Sequence, residues 1–493
     1  MPLSNLRGIL LVIIISLFCM SRTTIREQVL LNACRRLQQT AFVQPTEQDL
    51  FEGALEGMAE KLQTKYGDHY SSYENPVQQQ KIRDNLENQL VGLGVWLVPA
   101  GKSQGTQLFP LPNSPALEAG VQHGDLLLKI EGDDATGLTL PEITKKLEGN
   151  PGTKVTLLVR RADVDEETGD ESGLETEVTV TRARIHLPSV LGDRILRDGS
   201  WCYTLETEPD IGYLALNKTF NDSTAREMRN ALEELKKSKD IKGVIIDLRG
   251  NPGGYLNAAV GVCSLFLNEG VIVTTKQRSF TDPIKVRGTA IWDKPVVVLM
   301  DAMSASASEI VAACLQDYGI AVVVGTRSYG KGTVQEMVKL PLNMGTLRVT
   351  KAEYIRPSQK NINRGNQSDD DEWGVMPNDG YELKLSNRQA SVMRRIRTLR
   401  GIIPENELER QIERFVQFVK TGEPGPHDDS EMVLDDGSPM IDLPDNETET
   451  PDVETNDNVT NDAKKTFAPE GTAPYYDPQL DLAVEYFQSE HEA

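Results

Sequence analysis

A chain of 493 residues is too long for one small domain and is expected to hold two to four. Its formal charge of −22 is concentrated: residues 427–463 carry thirteen Asp or Glu and no Lys or Arg, which leaves about −9 for everything else. No basic patch or aromatic ladder of the kind that neutralises phosphates or stacks bases is present, which argues against nucleic acid as a partner.

The N-terminal stretch holds an apolar run from Gly8 to Met20, thirteen residues between two arginines. That is the length of a signal h-region and short of the roughly 20 residues a spanning helix needs. It predicts export, with residues 1–23 as a signal peptide or membrane anchor. The five cysteines, at 19, 34, 202, 263 and 314, form no CxxC pair and no Cys/His spacing suited to zinc. Neither a metal site nor a disulfide framework is implied, and Cys263 and Cys314 fall in apolar helical patterns, where they read as small buried hydrophobes.

Residues 24–88 read as a helical segment, in which Leu50, Leu55, Met58 and Leu62 are expected near one face. From Val91 to about Ala183 the pattern changes to short strands punctuated by glycine. VGLGVWLVP reads as an alternating strand, Ser114-Pro115 opens a short helix that Gly120 ends, and Gly124-Asp125 turns into LLLKI. TLPEITKKLEG is a second helix and TKVTLLVRR another strand, while the acidic insert 163–177 reads as a solvated hairpin extension. This series resembles a PDZ domain of the circularly permuted kind found in bacterial proteases. The resemblance implies a module that adds an extended chain as a strand to an exposed sheet edge. Gly92, Leu93 and Gly94 are its natural carboxylate loop, since glycines let backbone amides approach an anion; the plainer alternative is a glycine bulge.

Between residues 185 and 385, strands and helices alternate. IGYLALNKTF, GVIIDLRG, KPVVVLMD and AVVVGTRS read as strands, the second nearly all apolar, as expected of a sheet covered on both faces. Amphipathic helices intervene, one with Met228, Leu232 and Leu235 on one side, which implies βαβ crossovers and a mixed sheet with helices packed on it. Residues 386–425 read as a basic helical segment. The acidic stretch 426–470 holds too little apolar area to offset its ordering entropy and is expected to be disordered. A final segment, 471–493, regains helical spacing and is expected to dock back.

Chemistry concentrates in SASASEIVAACLQDYGIAVVVGTRSYGKGTVQ, residues 304–335. A serine hydroxyl needs a neutral base to take its proton. The five histidines, at 69, 123, 186, 427 and 491, lie in no motif linked to the serine cluster. A lysine can serve if burial lowers its pKa, and Lys331 is the only charge in YGKGTV. We read Ser306 as nucleophile and Lys331 as base. Ser306 to Glu309 also matches the capping box S-x-x-E, so Ser306 is at the same time a candidate helix cap. A helix N-terminus is where free amides and the helix dipole favour an alkoxide.

The turn GNPGG presents amides at the C-terminal edge of a strand. Gly254 and the amide of Ala307 are the expected oxyanion donors, the plainer alternative being a tight turn that needs glycine only for positive φ, and Gln335, four residues past Lys331, is expected on the same strand face, where it orients the ammonium or amine. A phosphate-loop reading of Gly325 to Lys331 fails, because Gly332 replaces the required hydroxyl residue and a strand follows.

These motifs, with IIDLRGNPGG upstream and the PDZ-like module before it, resemble the carboxyl-terminal processing proteases, the tail-specific serine peptidases. The likeness runs over about residues 45–385 and includes FEGALEGM and HYSSYENP. It implies Ser306 as nucleophile, Lys331 as general base, Gln335 beside them, and Gly254 and Ala307 as oxyanion donors. Pro377-Asn378, where the family has PD, and the acidic tail depart from the pattern.

The resulting expectation is an α/β (α+β) multidomain chain: N-terminal helical segment, inserted PDZ module at 89–184, mixed-sheet protease core at 185–385, and the C-terminal parts described above. The expected function is a serine endopeptidase that recognises and cleaves the C-terminal region of exported or envelope protein substrates in the periplasm or at the membrane. It needs no cofactor; homo-oligomers through the N-terminal helices are left open. The alternative is a catalytically silent PDZ scaffold that binds protein C-termini.

Overall fold

The computed structural model describes residues 25–99, 105–161, 173–196, 199–365, 372–403, 405, 408, 412, 433–434 and 477–492. The expected signal or anchor segment, most of the acidic insert, and the acidic stretch apart from Val433–Leu434 lie outside these residues. Among the described residues no helix is long and apolar enough to cross a membrane.

The chain forms two compact units, one comprising residues up to Gln80 with Gln335–Lys351, the other Lys81–Val334 with the residues from Ala352 onward. In the first unit, helix Ile25–Thr40 precedes helix Glu47–Tyr66. Thr46 and Asp49 cap the second helix reciprocally, and Gly67 ends it at φ +70°, a left-handed cap that favours glycine. Leu55 and Ala59, one turn apart, face inward. Met58, expected on that face, is exposed, so the buried stripe of this helix is narrower than expected. Strand Ser72–Glu74 then pairs antiparallel with Thr346–Arg348.

The second unit contains the module expected to be PDZ-like. Its strands Val95–Pro99, Thr106–Pro110, Asp125–Ile130, Lys154–Arg160 and Glu175–Thr181 form an antiparallel sheet in that order. Helix Leu140–Leu147 buries Leu140, Ile143 and Leu147 in the same core as Leu97, Leu108 and Val155. VGLGVWLVP is two strands, not one: Gln89–Gly92 pairs with Ala183–His186, and the chain breaks at Gly94, φ +73°. A Cβ at Gly94 would lie 2.5 Å from the Ser114 Cβ, so the break needs glycine. Helix Asn387–Arg400 packs Met393, Ile396 and Leu399 against Trp96 and Phe109.

The second unit also holds a mostly parallel sheet. Val190–Leu191 runs antiparallel to Ile211–Leu216, followed in parallel by Gly243–Asp247, Val296–Met300 and Ala321–Gly325. Alternate side chains serve two cores. Val244, Ile246, Val296 and Val298 pack with helices Thr224–Leu235, Leu256–Cys263 and Ala307–Asp317, where Cys263 and Cys314 are buried. Ile245, Val297 and Leu299 face Ala483 and Phe487 of helix Pro478–Glu492, here termed the distal helix. That double cover explains the unbroken apolar runs, and the C-terminal ends of the parallel strands carry the loops considered next.

Candidate active site

Ser306 sits where strand Val296–Met300 has ended and helix Ala307–Asp317 begins. It holds φ +54° and ψ −111°, a backbone conformation rare for a residue with a Cβ. The flanking serines differ from it. The Ser304 hydroxyl is buried and bonds to the Leu248 carbonyl (2.8 Å), and the buried Ser308 hydroxyl bonds to Asn251 (Oδ1, 2.9 Å). Ser306 is half-buried and takes part in the capping box, but its hydroxyl donates no hydrogen bond among the described residues.

The turn Gly250–Gly254 is stitched to this serine loop. Gly250 N–H donates to Asp301 Oδ1 (2.9 Å), Ala305 N–H to the Asn251 carbonyl (3.0 Å), and the Asn251 Oδ1 that receives Ser308 also receives Gly253 N–H (2.9 Å). A Cβ at Gly253, φ +98°, would lie 2.8 Å from both Ser306 Cβ and Ala307 N, so only glycine lets the turn approach the serine this closely. Gly253 N–H is already used by Asn251. The amides of Gly254 and Ala307 donate to no partner among the described residues.

Lys331 is half-buried in a turn whose two glycines are both forced by packing: a Cβ at Gly330 would lie 2.7 Å from the Trp373 ring, and one at Gly332 2.1 Å from Asn363 N. What brings this turn to the serine is Glu309. Its Oε2 accepts Ser306 N–H and Lys331 N–H, each at 2.8 Å, so the two backbones lie within two hydrogen-bond lengths of each other. Its Oε1 accepts Gly330 N–H (2.6 Å) and the Ser328 hydroxyl (2.5 Å). Ser328 in turn accepts Val375 N–H (2.8 Å), which leaves its own proton to point at Glu309. Tyr329 N–H to the Ser304 carbonyl (3.0 Å) adds a direct tie. The capping pattern marked Glu309 as a partner of Ser306 only; its reach to the lysine turn carries no sequence signal.

Glu309 is fully buried with no cation bonded to it in these contacts. Burial pushes its carboxyl up to about 7, and the bonds from Ser328, Gly330, Ser306 and Lys331 pull the other way. Four donors match the roughly four lone-pair sites of an ionised carboxylate, so the charged form fits the site without an orphaned atom.

A model of Peptidase family S41 matches residues 210–372, and a PDZ domain model matches residues 110–161. The chain is 35% identical over 324 residues to a carboxy-terminal-processing protease of Bartonella bacilliformis, an overlap of 64% of this chain and 68% of that relative. The chain belongs to peptidase family S41. It is similar also to a carboxyl-terminal-processing protease of Synechocystis sp., 33% identical over 312 residues, 63% of this chain and 67% of the relative. A solved photosystem II D1 C-terminal processing protease aligns with a TM-score of 0.40 and 22% identity, over 73% of this chain and 94% of that one.

In this S41 serine peptidase the remaining candidate residues are placed as follows. Gln335 is on strand Thr333–Lys339 and belongs to the first compact unit. Lys331 precedes that strand, so the expected shared strand face does not exist. Gly92, Leu93 and Gly94 are buried; the Leu93 and Gly94 carbonyls accept Ala116 N–H (2.9 Å) and Leu111 N–H (2.8 Å). Beside them, strand Val95–Pro99 carries a short antiparallel strand, Val433 opposite Leu97 and Leu434 opposite Trp96. A cavity of about 740 Å³ within the second unit is lined by Trp96 and Leu111 of the PDZ module and by Lys218, Gly250 and Pro252 of the core.

His123 and His186 do not offer a rival base. His123 is held neutral down to about pH 4 by burial, near Phe109 in the PDZ module. His186 contacts the Ser223 hydroxyl (3.2 Å), but that serine's one proton is directed to Glu227 (2.5 Å) or Asn221 (2.8 Å), a structural bond set rather than an activated nucleophile.

Proposed function

We propose that this S41 peptidase hydrolyses peptide bonds near the C-terminal ends of exported or envelope proteins, with Ser306 as nucleophile and Lys331 as base. Lys331 Nζ, in its neutral amine form, takes the Ser306 hydroxyl proton as Oγ bonds to the scissile carbonyl carbon. The carbonyl oxygen becomes an oxyanion facing the uncommitted amides of Ala307 and Gly254. The tetrahedral species collapses, the C–N bond breaks, and the Lys331 ammonium returns its proton to the departing amine. Water then attacks the acyl ester, again with Lys331 as base, and releases the acid product. The apolar run at residues 8–20 supports export.

The observation that carries this reading is the shared Glu309 oxygen, which fixes the backbones of Ser306 and Lys331 together while the hydroxyls of Ser304 and Ser308 are committed elsewhere. The PDZ module supplies substrate selection: strand Val95–Pro99 accepts an added antiparallel strand, as its pairing with Val433–Leu434 illustrates, and Gly92–Gly94 lies at the end toward which that strand runs.

The test is hydrolysis, and labelling by a fluorophosphonate, of single variants. Ser306→Ala and Lys331→Ala are expected to abolish both, a loss of at least about 10²-fold for the base alone. Ser304→Ala and Ser308→Ala are expected to retain labelling. Labelling that persists in Ser306→Ala and disappears in Ser308→Ala refutes the assignment.

A further inference from the structure

Arg249 is the residue immediately before the turn Gly250–Gly254, and its side chain is buried. A guanidinium has five N–H donors. Two are spent on Asp247 at the end of the central strand, through Nε (3.1 Å) and one Nη (2.8 Å). The other three go to the distal segment: Asp477 Oδ1 (3.0 Å), Asp477 Oδ2 (2.8 Å) and Gln479 Oε1 (3.0 Å). These partners are 228 and 230 residues away in sequence, beyond the acidic stretch.

The segment is held independently of this contact. Phe487 and Ala483 are buried against the sheet, and the Gln479 amide donates to the Leu383 carbonyl (2.7 Å). Around the guanidinium the charges balance: Asp247 and Asp477 against Arg249 and Arg397, with the Tyr213 hydroxyl on Asp247 (2.7 Å). Without Asp477, two arginines would share one buried carboxylate, and two buried donors of Arg249 would lose their acceptors.

The backbone around Arg249 is the one that faces the serine loop. The Leu248 carbonyl on one side receives the Ser304 hydroxyl, and Gly250 N–H on the other donates to Asp301. A rotation of Arg249 toward new partners therefore moves the turn that presents Gly254.

We infer that Asp477 and Gln479 are positioning residues for the hydrolytic site: docked on Arg249, they hold the turn Gly250–Gly254 against the serine loop in the geometry that receives the oxyanion. This rests on the assignment of Gly254 as an oxyanion donor and Ser306 as nucleophile. The distal segment is then part of the catalytic apparatus at a distance, and an S41 chain in which it is undocked is folded but slow.

Asp477→Asn in the full chain removes the charge and keeps the shape. Fluorophosphonate labelling gives two readouts, the fraction of sites that react and the rate at which they do. A positioning role predicts full stoichiometry, with the labelling rate and kcat on a short peptide reduced about tenfold or more and KM nearly unchanged. Asp477→Glu, which keeps the carboxylate, should recover most of the rate. A purely structural role predicts the reverse, fewer reactive sites at the unchanged rate, and that result overturns the inference, as does a wild-type labelling rate.

The second test uses a chain ending at residue 476 with a synthetic peptide of residues 477–492 added in trans. Saturable recovery of the labelling rate supports docking. No recovery, in a truncated chain whose circular dichroism and full labelling stoichiometry show it folded, refutes it; a truncated chain that fails to fold returns the decision to Asp477→Asn. Absence of Ser306 labelling in the wild type would instead overturn the underlying site assignment, so the two failures are separable.

Discussion

Two buried carboxylates near the site, Glu309 and Asp247, solve burial differently. Burial raises the pKa of both. At Asp247 the guanidinium groups of Arg249 and Arg397, with the Tyr213 hydroxyl, more than offset it and hold the carboxyl below its ordinary value of 3.8. At Glu309 the bonded groups are three neutral amides and a hydroxyl. They bring four hydrogen bonds but no full charge, and the carboxyl stays up at about 7. Cations fix a charge, whereas neutral donors fix a shape. Asp247 anchors the scaffold under the turn Gly250–Gly254 at any ordinary pH, while Glu309 holds the backbones of Ser306 and Lys331, the proposed nucleophile and base, in register through a charge that sits at the edge of neutrality.

The contrast is broken most severely at the cationic site. Asp247→Asn strips Arg397 of its buried carboxylate and leaves Arg249 with Asp477 alone. The expected loss is about 3–5 kcal/mol of unfolding free energy, the range for a buried ion pair deprived of one partner, measured by denaturant titration. Glu309→Gln is expected to act on rate rather than on folding. The amide keeps one oxygen and turns the other acceptor into a donor that confronts either the Ser306 and Lys331 amides or the Gly330 and Ser328 donors. Either conflict displaces the proposed dyad, and kcat is expected to fall about 10²-fold with a smaller change in KM. Equal damage to stability in the two variants would dissolve the distinction.

How far this site could be read beforehand follows from where its information lies. The serine at a helix start and the lysine between two glycines are local patterns, and so were legible. The apolar strands announced a sheet covered on both faces, and helical spacing after residue 471 announced a helix that docks. Which face that helix covers was not legible, because Phe487 and Ala483 would make the same pattern against any apolar surface. Asp477 and Arg249 look like two ordinary surface charges 228 residues apart until the fold buries them together. Glu309 was seen as a cap because its partner Ser306 is three residues away; Lys331 is twenty-two away, and no periodicity links them. VGLGVWLVP kept strand alternation across Gly94, and only the close approach of Ser114 reveals the break.

The smallest effect and the sharpest discriminator is pH. Glu309 has its folded pKa raised from 4.5 to about 7, so its ionised form costs folding free energy, fully above pH 7 and not at all below 4.5. The cost is about 3 kcal/mol by the usual conversion. Asp247 has a lowered folded pKa, so its stabilisation is complete above 3.8 and fades only as pH falls below that. Between pH 7 and 4.5, then, only Glu309 of the pair titrates, and acidification should stabilise the wild type relative to Glu309→Gln. Activity should move the opposite way. Protonation removes an acceptor site from the Ser306–Lys331 clamp, and kcat is expected to fall about tenfold from pH 8 to pH 6. A general base, the role proposed for Lys331, gives an acid limb of its own, so the wild-type profile alone does not assign the limb. The difference profile does: Glu309→Gln, slow at every pH, should keep the lysine limb and lose the inflection near 7. Parallel profiles for the two proteins would mean that Glu309 stays ionised across this range, and that four neutral donors secure a buried charge as well as two arginines do.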